Sequence, residues 1–565
     1  MKAEIEVAEG KITYSVLKDG KTIVSPSEVS MQMTDGSAYD GSAKLRKAVR
    51  ATVDNMIASP FYKKAQVKEN FNQISLIFKT FDLEFRAFDA GIAYRFVSKS
   101  KDAFKVKGEK AEFVFPEDWN MYVPYVKDKK PTLEEQFYNS FENLYVYGKL
   151  SSWDKERIAF LPLMVEGPDG IKVSTRDKDM LDNDLVWLLG TPADAQTDWS
   201  WVKPGKVAWE WWNDWNVSKV PFRAGCNTAT YEYYIDFAQQ FGIEYVIMDE
   251  GWSKELQIME LNPETDVPHL VKYANARGVG IILWCAWPQL VGRQHEVFSK
   301  YANMGVKGFK IDFMDRDDQE MELYLEETAK IAAEYKLLID YHGMHKPTGM
   351  SRTYPNILNY EGIHGLECTK WEDGRTDFMR NDLLGLYCRM SAGPMDYTPG
   401  AMINMARKQI RASLMQPGSQ GTRVHQMALM ALYEAPLQML CDSPTQYLRN
   451  RECFEFMAKV PVVWDETIGL PGEMEKSAAI ARRKGDAWYV AAINSWEPCT
   501  MEIDTSFLGD GKWRAEIFAD GLNADRDATD YVKKSESFKA GEKIKIELAP
   551  GGGWIARFVR RGFLW

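Results

Sequence analysis

Residues 245–249, 280–284, 308–312 and 337–341 read YVIMD, GIILW, GFKID and LLIDY. Each is a short apolar run closed by a polar group or a tryptophan. Helix-like stretches separate them near Val267–Arg277, Phe298–Asn303 and Asp318–Tyr335, the last carrying Met321, Leu325, Thr328, Ala332 and Tyr335 on one stripe. The closing residues Asp249, Trp284, Asp312 and His342 are 35, 28 and 30 residues apart. That is the length of one strand–helix unit, so the spacing predicts a (β/α)₈ barrel of the TIM type. KVAWE at 206–210, followed by a helix near Tyr231–Phe241, supplies the unit before them. A doubly wound open sheet alternates in the same way, but no glycine-rich phosphate loop follows any of these strands.

On either side the texture changes. Residues 1–204 hold short alternating segments such as KITYSVL, SLIFKTF and IAYRFVS between the turns KDGK and TDGS, which predicts an N-terminal β-sandwich. The barrel is expected over 205–460. Alternation returns in 461–565 with AWYVAAINSW, KWRAEIFAD and EKIKIEL, predicting a small C-terminal β-sandwich domain.

Composition narrows the function. The 565 residues are 45 % apolar and 27 % charged, ordinary for a folded soluble chain, and the length calls for several domains. A net charge of −11 argues against nucleic acid or an anionic membrane as partner. No apolar run reaches the length of a membrane span. Seven cysteines that form no CxxC pair and no Cys/His cluster argue against a zinc site. The opening MKAEIEVAEGKITYSV alternates at once without an apolar signal core. The chain is therefore expected in the cytoplasm, or in the periplasm or medium if a signal peptide has been removed. Nineteen tryptophans, many beside Asp, Asn or Glu, suit sugar rings, whose faces are apolar and whose rims are hydroxyl; they suit large cores equally well.

Barrel enzymes work at the carboxyl ends of their strands. Read there, the sequence offers Glu210, Asn213 and Asp214, then Asp249, Glu250 and Trp252, then Trp284 and Trp287, Lys310 and Asp312, His342, and finally Glu361 and Glu367. No nucleophilic serine elbow accompanies His342. Paired carboxylates among aromatics are the equipment of glycoside hydrolysis, which needs a nucleophile or base and a general acid. Lys310 lies two residues before Asp312 on one strand, on the same face, where its charge would hold Asp312 ionised. A carbohydrate-binding protein without catalysis would use the tryptophans equally well, but it needs no such carboxylate pair.

The segments VAWEWWNDWNV, YVIMDEGW, GFKIDFMDRDDQ, HKPTGMSRTYPN, YEGIHGLE and GPMDYTPGAM resemble glycoside hydrolase family 97 over nearly the whole chain. The resemblance implies a calcium-dependent enzyme on terminal α-galactosides or α-glucosides, in a family with inverting and retaining members. It implies Glu367 as general acid and Asp312 as the nucleophile of retaining members. Inverting members place a glutamate base directly after the fifth-strand histidine, where this chain has Gly343. A retaining α-galactosidase is the reading it favours, with α-glucoside and β-L-arabinopyranoside as alternatives. Calcium ligands are implied at Glu361, Glu367 and, from the N-terminal domain, Asp177. Asp249, Lys310 and His342 are expected to bind sugar hydroxyls, with Trp252 or Trp284 packed on the ring. Oligomeric state is left open.

Overall fold

The seven runs that build the centre are β1 (Gly205–Ala208), β2 (Tyr245–Met248), β3 (Gly280–Ala286), β4 (Gly308–Asp312), β5 (Leu338–Tyr341), β6 (Ile357–Tyr360) and β7 (Leu437–Leu440). In this computed structural model, which describes residues 1–126, 132, 134–168 and 177–560, they form one parallel sheet in the order β6-β5-β4-β3-β2-β1-β7. Every residue in them is buried except Asp312, which reaches the open end of β4. Burial on both faces is why these strands read as unbroken apolar runs rather than alternating ones.

Helices α1 (Thr228–Phe241), α2 (Val267–Asn275), α3 (Gln294–Met304), α4 (Gln319–Glu334), α5 (Phe378–Tyr387) and α6 (Arg423–Leu432) lie between the strands in sequence. Five of them start at a side-chain cap: Asn227, Asp266, Asp318, Asp377 and Thr422 each accept from the backbone N–H three residues on. α1 and α3 stop at Gly242 and Gly305, both in the left-handed conformation that ends a helix. The stripe expected on α4 is the face it buries, with Met321, Leu325, Thr328 and Ala332 inward.

The expected barrel of the TIM type is borne out, with seven of its positions occupied by regular strands among the described residues. The gap between β6 and β7 is filled by residues 394–399, which pair with both neighbours without forming a strand. Asp396 N–H donates to the Tyr360 carbonyl at 2.8 Å, and Cys441 N–H donates to the Pro399 carbonyl at 3.3 Å. Pro394 and Pro399 lack the N–H groups that a regular ladder requires. Buried Arg389 fastens this segment to the end of β6, donating to the carbonyls of Pro394 at 2.9 Å and Glu361 at 2.7 Å. The barrel is nearly closed.

Among the described residues before β1 there are three antiparallel sheets: one with the strands Lys2–Ala8, Lys11–Lys18 and Lys21–Met33, a second with Lys47–Ala58, Gln66–Ile77, Phe81–Phe88 and Ile92–Ser98, and a small third of Asn120–Val123, Val146–Lys149 and Met164–Glu166. Ile12, Tyr14 and Val29 from the first share a core with Phe81, Leu83 and Phe85 from the second. After β7, a six-stranded antiparallel sheet faces the pair Cys499–Asp504 and Lys543–Leu548 across Val490, Ile517, Ile503 and Ile546. No described helix is long and apolar enough to cross a membrane.

One buried cation locks the C-terminal sheet onto the barrel. Arg482 is fully enclosed and donates to the carbonyls of Leu432 and Tyr433, at 3.0 and 3.1 Å, where α6 ends. Arg482→Leu strips α6 of that cap and leaves Glu434 beside one cation fewer. It is expected to cost about 3 kcal/mol, read as a lower urea midpoint; an unchanged midpoint shows the contact to be dispensable.

Candidate active site

Side chains two apart on a strand share a face, so β4 presents both Lys310 and Asp312 at the mouth. Lys310 is buried, its Nζ 3.1 Å from Asp249 Oδ2 and over the Trp209 ring at 4.8 Å. Asp249 Oδ2 also accepts from Trp209 Nε1 at 2.7 Å. The lysine's direct ion pair is with Asp249, and Asp312 is the next carboxylate to face its charge. Burial by itself disfavours the ammonium, but Asp249, Asp312, Glu367 and Asp396 outweigh it and hold Lys310 well above the ordinary lysine value. Below Asp249, Glu210 accepts from Tyr231 Oη at 2.7 Å and from Asp249 N–H at 2.8 Å. Burial and the neighbouring Asp249 push the Glu210 carboxyl up to about 8.

Asp312 is held from two directions: Trp284 Nε1 donates to Oδ2 at 3.0 Å and Phe313 N–H donates to Oδ1 at 2.7 Å. Oxygens of Asp312 and Glu361 and a ring nitrogen of His342 all lie within 4.8 Å of one another. Glu361, one residue past β6, accepts from Gly343 N–H at 2.7 Å. His342 is enclosed between carboxylates, with Nε2 2.7 Å from Asp396 Oδ2 and Nδ1 3.3 Å from Glu361 Oε1. Its burial favours the neutral ring, yet Glu361, Asp340 and Asp396 raise it well above the usual histidine value. Both ring nitrogens are committed to protein acids. His342 therefore supports Glu361 and Asp396 and does not offer an edge to a sugar, contrary to expectation.

Glu367 sits in the short 3₁₀ turn Leu366–Lys370. Oxygens of Glu142, Glu361 and Glu367 come within 4.8 Å of one another. Burial comes first in raising all three carboxyls. Glu142 and Glu367 reach about 8, each with another glutamate of the group as the next upward cause, and Glu361, opposed by His342, reaches about 7. Glu142 is the acid that the N-terminal unit contributes here. The side chain of Asp177 lies outside the described residues; its backbone opens the helix Asp177–Leu181. Glu142 has no periodic context in NSFENLY. The preceding Phe141 is buried with φ of 60°, a rare backbone state for a bulky residue, and it aims the loop inward.

Trp252 does not reach the mouth. It is 0 % exposed, donates its indole N–H to the Trp284 carbonyl at 2.8 Å and packs edge-on against Tyr301, so it is core. Trp284, 9 % exposed, stands at the mouth with Phe313, 52 % exposed, edge-on to it at 5.7 Å. Trp211 and the exposed Trp371 meet edge-on at 6.4 Å on the segments that bear Glu210 and Glu367. Phe313, Trp211 and Trp371 extend the aromatic rim beyond the residues expected from sequence.

Gly343 shapes the turn after β4. It has φ of +55°, and a Cβ there would stand 2.9 Å from Phe313 N and Cα. Asp315 N–H donates to the Gly343 carbonyl at 2.6 Å, folding residues 313–315 against it. Phe313 and Asp315 both have positive φ. A side chain at 343 and this turn cannot coexist.

A parallel barrel that gathers carboxylic acids at the carboxyl ends of its strands, under an aromatic rim, defines a carbohydrate-cleaving hydrolase. The chain belongs to glycoside hydrolase family 97: the models for that family's N-terminal domain, central domain and C-terminal oligomerisation domain match residues 1–208, 211–363 and 463–559. It is a glycoside hydrolase. It is 41 % identical to a protein named retaining alpha-galactosidase from Bacteroides thetaiotaomicron, over 99 % of this chain and 95 % of that one. A probable retaining alpha-galactosidase of Streptomyces bingchenggensis is 26 % identical, over 98 % and 89 %. Among solved structures, a family 97 enzyme of Pseudoalteromonas sp. strain K8 in complex with acarbose superposes with a TM-score of 0.88 at 23 % identity, covering 99 % of this chain and 98 % of that one. A beta-arabinopyranosidase reaches 0.79 at 21 %, covering 98 % of both chains. Both share the fold.

Gly343→Ala is expected to push the 313–315 turn and with it Asp312, cutting kcat by about a hundredfold with KM nearly unchanged. Equal loss in an Asp315→Asn control with an intact turn would assign the effect to charge instead.

Proposed function

We propose that this chain is a retaining, exo-acting α-galactosidase with Asp312 as nucleophile and Glu367 as general acid and then base. The observation that carries the reading is steric: the turn after Asp312 occupies the space above Gly343, where the resemblance would place an inverting base. Kinship with a protein named retaining alpha-galactosidase supports it.

In the first step the ionised Asp312 attacks the anomeric carbon while Glu367 gives its proton to the departing glycosidic oxygen, leaving a galactosyl ester on Asp312. In the second step the Glu367 carboxylate takes a proton from water, water attacks the anomeric carbon from the face the leaving group vacated, and the ester bond breaks. Trp284 Nε1 holds one oxygen of Asp312 and so orients it. Lys310 and Asp249 hold ring hydroxyls, and the indole of Trp284 packs on the sugar's apolar face.

Glu142, Glu361 and Glu367 fit a calcium ion: they are three hard oxygen donors, drawn together with their carboxyls raised by burial and by one another. Such an ion would offset that repulsion and fix the position of Glu367. With a cation bound there, Glu367 would lose its proton more easily.

Two experiments test the assignment. Proton NMR of the first sugar released from a nitrophenyl α-galactoside is expected to show the α-anomer, and a first-formed β-anomer removes Asp312 as nucleophile. Asp312→Gly is expected to lose more than about a thousandfold in kcat, with azide restoring part of the turnover of activated aryl substrates. A panel of α-galactoside, α-glucoside and β-L-arabinopyranoside reads the sugar.

The acid role also sets a pH profile. Glu367 must carry a proton to act, so kcat/KM is expected to hold below its pKa and to fall as pH rises through about 8 in chelated enzyme. Adding Ca²⁺ moves that limb to lower pH. Glu367→Gln, assayed on a substrate whose leaving group needs no proton, abolishes the limb; a limb that survives the substitution belongs to another group.

A further inference from the structure

The expectation of no Cys/His cluster is corrected by the segment after Glu361, which brings a histidine, a cysteine and a glutamate of metal-ligating type together. His364, Cys368 and Glu372 are four residues apart. The 3₁₀ turn Leu366–Lys370 is continued by a Glu372 N–H bond to the Cys368 carbonyl at 2.9 Å, which brings Glu372 round beside Cys368. An imidazole nitrogen, the thiol sulfur and a carboxylate oxygen all lie within 4.8 Å of one another.

The histidine is already oriented as a ligand. Its Nδ1 lies 2.8 Å from the backbone carbonyl oxygen of Glu142, which can only accept, so Nδ1 carries the proton. That leaves Nε2 facing the cluster, 2.9 Å from Glu372 Oε2. A ring N–H bonded to a backbone carbonyl is the usual outer support of a metal-binding histidine. The Cys368 thiol donates to Glu142 Oε1 at 3.9 Å.

The donor set differs in kind from the neighbouring one. Glu142, Glu361 and Glu367 offer oxygen alone, which suits a hard ion, whereas one nitrogen, one sulfur and one oxygen suit a borderline-soft ion. We propose that His364, Cys368 and Glu372 bind a thiophilic divalent cation such as Zn²⁺, with water in a fourth position. As the sulfur–metal bond forms, the Cys368 thiol releases its proton to solvent, and the histidine and glutamate each donate a lone pair without redox change.

Cadmium reports on this site directly, because a cadmium–thiolate bond gives an ultraviolet charge-transfer band that oxygen and nitrogen ligands do not. The full chain, first saturated with Ca²⁺, is titrated with Cd²⁺. One equivalent is expected to develop the band, and Zn²⁺ is expected to displace it. Cys368→Ser abolishes the band, His364→Gln weakens Cd²⁺ binding at least about tenfold, and Cys226→Ser and Cys499→Ser leave it intact. Glu372→Gln, at the open edge of the cluster, serves as a second weakening variant if Cys368→Ser does not fold. Absence of a stoichiometric band in the unmodified chain, or a band that survives Cys368→Ser, overturns the proposal.

Discussion

Two buried cations hold the mouth of the barrel together against a surplus of acids. Lys310 and His342 lie among Asp249, Asp312, Asp340, Asp396, Glu361 and Glu367. Buried like charges repel strongly, and the structure meets that cost by protonating some acids and pairing others. Asp340, enclosed on β5 beside Asp396, is raised well above the carboxylate range by burial and by that neighbour. Asp249 is tied to Lys310, and Asp396 to His342. What remains is an acid that keeps its proton near neutral pH, Glu367, in the same mouth as Asp312. Removing either cation would leave the acids beside it without an opposing charge.

Backbone geometry makes this crowding usable. The turn after β4 takes positive φ at Phe313 and Asp315 and rests on the bare Cα of Gly343. The Phe313 N–H then points at Asp312 and, with Trp284, leaves that carboxylate one arrangement. Across the mouth, Arg389 holds the carbonyls on both sides of the seam between β6 and residues 394–399. The irregular eighth position is therefore part of the site: it delivers Asp396 to His342, which a regular outward-facing strand residue could not do.

The unit before the barrel is more than a scaffold. It places Glu142 against Glu361 and Glu367, and its backbone carbonyl orients His364. One loop thus touches both candidate cation sites. Their proximity also explains how two ions of different character could be told apart: the oxygen-only group lies over the barrel, and the mixed group lies along the turn behind it.

The barrel was legible in YVIMD, GIILW, GFKID and LLIDY because strands buried on both faces must be apolar throughout. Asp312, Lys310, Asp249, Glu361 and Glu367 were legible because a barrel brings its strand ends to one mouth whatever the loops do. The resemblance added roles to those positions. Sequence could not assign the partners. Lys310 pairs with Asp249 on another strand, His342 spends both nitrogens on acids 19 and 54 residues further along, and Trp252 turns into the core while Phe313 turns out. Glu142 and the His364–Cys368–Glu372 cluster depended on where an irregular loop and a 3₁₀ turn came to rest. Local pattern determines which residues can form a strand or a helix and which end they close. Distances between side chains of different elements are set by packing, and there the tertiary structure alone decided.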